Sequence, residues 1–170
     1  MKKWHKIGFI LAGVLAFASI AIAVFYWSKL PLSIPTHFNL SGQPDAWNNK
    51  SIFYVFLMPG IQALMLGGFV FLYYKPQFSD MPTTLWLMTM EKHKRDHAFD
   101  LIRTMLVGTS LWIGAFFTYM TYVMNLSALD SGFGPNPWIM LAVLGGMFAW
   151  LIWWTVKVYR ATRDIIKKEA

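Results

Sequence analysis

The chain has 170 residues, of which 56 % are apolar and 14 % charged, with a net charge of +7, fourteen Phe, nine Trp and no Cys. One average soluble domain has that length, but a soluble core of that size does not hide so many large apolar side chains. The absence of Cys excludes disulfides and thiolate chemistry. The basic residues flank apolar blocks instead of forming one face, so no nucleic-acid partner is expected and contact with lipid headgroups is.

Four blocks, 7–27, 52–74, 104–124 and 138–156, run for 21, 23, 21 and 19 residues without Asp, Glu, Lys, Arg or His. At about 1.5 Å per residue, each crosses a hydrocarbon core of roughly 30 Å. Backbone in lipid must satisfy its own hydrogen bonds, so the blocks read as helices. The predicted fold is therefore all-α: residues 1–170 form one multi-pass membrane domain, an integral four-helix bundle in the lipid bilayer.

The first block follows Lys2, Lys3 and Lys6. Ala16-Phe17-Ala18 has the small-residue form of a leader cleavage site, but the apolar run continues to Trp27. A leader's apolar region is about 7–15 residues, so this block is expected to stay as a membrane anchor. Gly8, Ala12 and Ala16 recur every four residues, which lets a neighbouring helix approach closely.

Residues 28–51 form the connection to the second block, far longer than a tight link needs. Pro31, Pro35 and Pro44 hold Leu30, Ile34 and Gln43 toward extended backbone and lower the entropy lost on ordering. Gly42 permits a chain reversal, which would return the His37 side toward Asp45 and Lys50. Phe38 and Trp47 suit the headgroup boundary as anchors. One His and one Asp do not complete a catalytic constellation. His37, Asn39 and Asp45 therefore read either as a ligand-binding surface or as the hydrogen bonds that order the loop.

The run from Leu30 to Lys50, LPxxIPxHFNxxGxPDxWxxK, resembles the N-terminal domain of unknown function of SdpI-type membrane proteins. The likeness extends over about 27–67, and its matching positions are Pro31, Pro35, His37, Phe38, Asn39, Gly42, Pro44, Asp45 and Lys50. It implies a helical multi-pass bundle in a bacterial plasma membrane. In one branch it also implies immunity to a membrane-active peptide, coupled to signalling. The longer C-terminal part of those immunity proteins has no counterpart in this chain.

In the second block, Pro59-Gly60 should bend or loosen the helix, and Ala63 and Gly67 repeat the small-residue spacing. The connection 75–103 begins as a loop between Pro76 and Pro82. From Thr84 it turns helical and is expected to run on into the third span. His93 and His97 are four apart, and Asp100 continues their helix face, so a zinc site is conceivable in kind. Lys94 stands where a zincin would place Glu, and a solvated charged face explains the same residues. No metal and no other cofactor is expected.

Asn136 and Pro137 fit the cap and first turn of the fourth helix, and Ala142 and Gly146 again have small-residue spacing. The small faces serve packing within the chain or, secondarily, an oligomer. Thirteen of the fifteen Lys and Arg lie before the first span, between spans two and three, or after the fourth; only Lys29 and Lys50 lie on the other side. The positive-inside rule then places both termini in the cytoplasm.

The leading functional expectation is a non-enzymatic protein whose outer loop binds or senses a ligand, such as a membrane-active peptide. Competing readings are a membrane enzyme or lipid-handling protein using His37 and Asp45, and a small transporter or accessory subunit with Gln62 and Pro59-Gly60 along its path. Uncharged spans count against a pump, since ion-coupled transporters place ionisable groups at membrane depth.

Overall fold

A computed structural model describes residues 1–78, 92–130 and 132–169, with backbone alone at 77, 93, 94 and 162–169. Among the described residues, four helices are long and apolar enough to cross a membrane. They are α1 (Lys3–Trp27), α2 (Ile52–Tyr74), α3 (Lys92–Leu129) and α4 (Pro137–Glu169). The second has the length read from sequence, while the other three run beyond their apolar blocks. With 38 residues, α3 is about 57 Å long, nearly twice the thickness of the hydrocarbon core. Its excess lies mainly at the charged Lys92 end, as expected of a helix that enters the third span already formed. The start of that helix at Thr84 falls outside the described residues.

The caps follow local chemistry. Ser51 accepts the Tyr54 amide at 3.3 Å to open α2. Asn136 Oδ1 accepts the Trp138 amide at 2.9 Å and lies 3.4 Å from that of Ile139, opening α4 as its sequence indicates. Helix α2 continues through Pro59, whose ring is buried.

Small residues decide which helices meet. The buried face of α1 is His5, Gly8, Ala12, Ala16, Ser19 and Ala23. It lies on α3 so closely that a Cβ at Gly8 would collide with Val107. Gly108 and Gly146 do the same between α3 and α4, receiving Trp150 and Trp112 respectively. Ala63, Gly67 and Ala142 do not serve as seams within the chain: all three are exposed. Their spacing is right, but the faces that carry them turn away from the other helices.

The bundle is not symmetric. α1, α2 and α3 pack against one another, whereas α4 rests chiefly on α3. Over the 18 most apolar residues of α4 none is buried, against half in α3, and Val158 further along is buried. Trp138, Leu141, Phe148, Ile152 and Trp153 are all exposed, the composition of a surface that meets lipid.

The all-α expectation needs correction between α1 and α2. The chain forms an antiparallel hairpin there, β1 (Ser33–Phe38) and β2 (Pro44–Asn49). An isolated two-stranded hairpin is marginal in water. This one is held because Ile34 and Pro35 of β1 are buried, Ile34 in a cluster with Ala23, Leu30 and Val55 that reaches Ala128 of α3. Hairpin and α3–α4 connection share one end of the bundle; the start of α1, the end of α2 and the start of α3 share the other.

Candidate functional site

The hairpin's tip is built by Asn39 and Gly42. The Asn39 side chain accepts the amides of Ser41 at 2.9 Å and Gln43 at 3.0 Å. Its own amide donates to Gln43 O, and its carbonyl accepts the Gly42 amide, both at 2.9 Å. Gly42 turns the chain at φ +77°, a left-handed value that side chains other than Asn or Asp rarely adopt. A Cβ there would also strike the Pro135 carbonyl, and one at Gly134 would strike the Gly42 carbonyl. The tip is therefore docked, backbone against backbone, on the α3–α4 connection.

Two irregularities in the strand register fall on either side of His37, which pairs with Ala46. They leave Thr36 and Asp45 as extra residues on their strands and bring His37 beside Asp45. The His37 Nδ1 to Asp45 Oδ1 distance is 2.5 Å, with both side chains open to solvent. A carboxylate at Nδ1 fixes that nitrogen as donor and leaves Nε2 as the imidazole's acceptor. Asn48 Nδ2 donates to Thr36 Oγ1 at 2.8 Å, bracing the bulge from the opposite strand.

Lys50 lies at the base of the hairpin, not beside His37. Its amide donates to Leu32 O at 2.7 Å, and its ammonium donates to Leu30 O at 2.9 Å, with Trp27 O at 3.4 Å. It thus closes the carboxyl end of α1, where a cation is favourable. Pro35 is fully buried against the bundle, Pro31 is exposed ahead of β1, and Pro44 opens β2 opposite Phe38.

Beneath the hairpin lies a groove of about 440 Å³, within the range of ligand sites. Its roof runs from Thr36 to Gly42; Met58 of α2, Met120 of α3 and Met140, Leu141 and Leu144 of α4 line it below. Unbranched methionines reshape readily around different apolar guests. His37 and Asn39 are among its lining residues, so the motif's turn and the apolar wall border one space.

The other sequence candidate lies on α3 and is only partly described. His97 is exposed on α3, and Asp100 is taken up by Lys2 at 2.5 Å; the His93 side chain is outside the described residues. Among the described residues no three His, Asp or Glu side chains are placed to share a metal. Gln62, read as a path residue, is 2 % exposed and donates to Gly114 O and Thr118 Oγ1, each at 3.2 Å. Ser19 and Thr121 join at 2.8 Å in the same manner, as interhelical ties.

Sequence reasoning passed over His5. It is fully buried, with Nδ1 2.9 Å from Tyr73 Oη and Nε2 3.2 Å from Thr104 Oγ1. Thr104 donates its own hydrogen to Asp100 O at 2.9 Å, so it accepts from His5 Nε2–H, and Nδ1 accepts from Tyr73. Arg103 Nε donates to Tyr73 O at 3.1 Å and closes the end of α2. The signal was present: the small-residue face of α1, extended back one turn from Gly8, arrives at His5.

A family profile described as Domain of unknown function (DUF1648) matches residues 14–63, which take in most of α1, the whole hairpin and the first half of α2. No curated protein and no solved structure matches the chain.

Proposed function

We propose that this chain is a non-enzymatic multi-pass protein of a bacterial plasma membrane whose outer hairpin, with the groove beneath it, binds a ligand at the membrane face. The observation that carries this reading is the groove itself: a methionine-lined cleft roofed by the hairpin's tip. An apolar interior with a few polar groups at the rim suits an amphipathic guest. A membrane-active peptide is such a guest, and protection from one is the use we favour; the resemblance of the hairpin to SdpI-type proteins supports it. The orientation belongs to the same proposal, with both termini cytoplasmic on the strength of thirteen inward cations against Lys29 and Lys50.

The test is a deletion strain challenged with membrane-active peptides and rescued by variant copies at matched membrane levels. His37→Ala and Asp45→Ala should each weaken protection by about tenfold, the equivalent of ~1.4 kcal/mol of binding. Full rescue by both would remove the hairpin as the site. A phosphatase inserted at Gly132 should be active and one fused after Ala170 inactive; the reverse would overturn the orientation.

A second reading, a lipid-handling enzyme, is favoured by the 2.5 Å contact between His37 and Asp45, which is the arrangement of an oriented general base. Lipid turnover by the pure protein that Asp45→Asn abolishes, with ligand affinity kept, would select it over binding alone.

A further inference from the structure

The opposite end of the bundle holds a second cavity, of about 280 Å³, between α1, α2 and α3. Lys2, His5, Tyr73, Tyr74, Asp100 and Arg103 line it. From its geometry we infer that this cavity binds a phosphate group, supplied by a lipid headgroup or by free phosphate. The inference is independent of the hairpin and of which way the protein is inserted.

Three observations support it. First, the back wall is preorganised: His5 is fully buried and held at both ring nitrogens by Tyr73 and Thr104. Second, Arg103 reaches the cavity with its Nε already spent on the Tyr73 carbonyl, so its terminal nitrogens supply the planar fork that suits phosphate oxygens. Third, the charge around the opening is lopsided. Two cations, Lys2 and Arg103, line it against one acidic residue, Asp100. Asp100 already holds Lys2, an ion pair between two lining residues that joins the start of α1 to α3. A phosphate entering the cavity would take Lys2 as a shared partner. Basic pockets between membrane helices at the headgroup level bind phosphorylated headgroups on these terms.

The experiment measures thermal shift and binding with the full-length protein in a neutral detergent. Dioctanoyl phosphatidic acid, dioctanoylglycerol and inorganic phosphate are the probes. The phosphatidic acid should stabilise the protein, and dioctanoylglycerol, which has the same chains without phosphate, should not. Equal stabilisation by both would overturn the proposal, because the chains alone would then account for binding. Arg103→Gln and Lys2→Gln should each weaken phosphatidic acid binding by about tenfold or more, as expected when a charged hydrogen bond is lost. Arg103 also closes α2, so if Arg103→Gln fails to fold, the half-exposed Lys2 carries the test. Lys75→Gln, outside the cavity lining, should bind as the wild type does. Weakening by Lys75→Gln equal to that by Lys2→Gln would reduce the effect to general surface charge and overturn the site. An equal shift with inorganic phosphate would make free phosphate the source; a shift confined to phosphatidic acid would make it the lipid.

Discussion

The two ends of the bundle are built by opposite means. At the hairpin end, the polar contacts within the loop join residues two to twenty-three positions apart, from Asn39 with Ser41 to Lys50 with Trp27. At the terminal end, His5 meets Tyr73 and Thr104 across 68 and 99 positions, and Lys2 meets Asp100 across 98. The first is a local structure that the bundle anchors at two points, Ile34–Pro35 and Gly42. The second exists only because three helices converge. A local structure should fail locally when its turn is broken. A convergent one should weaken the whole bundle when its centre is removed.

The largest effect should come from Gly42→Val. A left-handed backbone costs a side-chain-bearing residue about 1–3 kcal/mol, before the collision with Pro135 is counted. The tip should leave the α3–α4 connection, exposing Lys50 to trypsin while the spans remain inserted. Gly134→Ala should act the same way from the other side of the contact. Wild-type resistance in both variants would show that the hairpin is not held by this approach.

His5→Ala should cost about 1–3 kcal/mol by stripping partners from the buried Tyr73 and Thr104 hydroxyls. The loss should be read as a lower melting temperature in detergent, with cleavage at Lys50 unchanged. Tyr73→Phe should cost less, because it removes only one of the two contacts. If His5→Ala instead opened the hairpin to trypsin, the two ends would be one cooperative unit and the contrast between them would fail.

Asn39→Ala should have the smallest effect on stability, about 1 kcal/mol confined to the exposed turn. Faster hydrogen exchange at the Ser41 and Gln43 amides, with an unchanged melting temperature, is the expected record. A global drop would mean that the turn carries more of the fold than its local bonds indicate.

The four spans, the cap of α4 and the continuity of α3 were legible because each depends on residues near one another in sequence. Hydrophobic length makes a helix in lipid, and Asn136-Pro137 starts one wherever it stands. Gly42 as a reversal and His37 beside Asp45 were legible for the same reason. The strands were not: Pro35 and Pro44 interrupt the alternation that marks a hairpin, and β2 draws its stability from pairing, not from its own residues. Spacing alone also could not separate Gly8 and Gly146, which seat side chains of α3, from Gly67, which seats nothing. Small residues permit close approach, but only the arrangement of the helices decides where approach occurs. Tertiary structure alone set the outlying position of α4, the groove under the hairpin and the partners of His5. Each arises between segments distant in sequence, where geometry, and not local propensity, decides which side chains share a space.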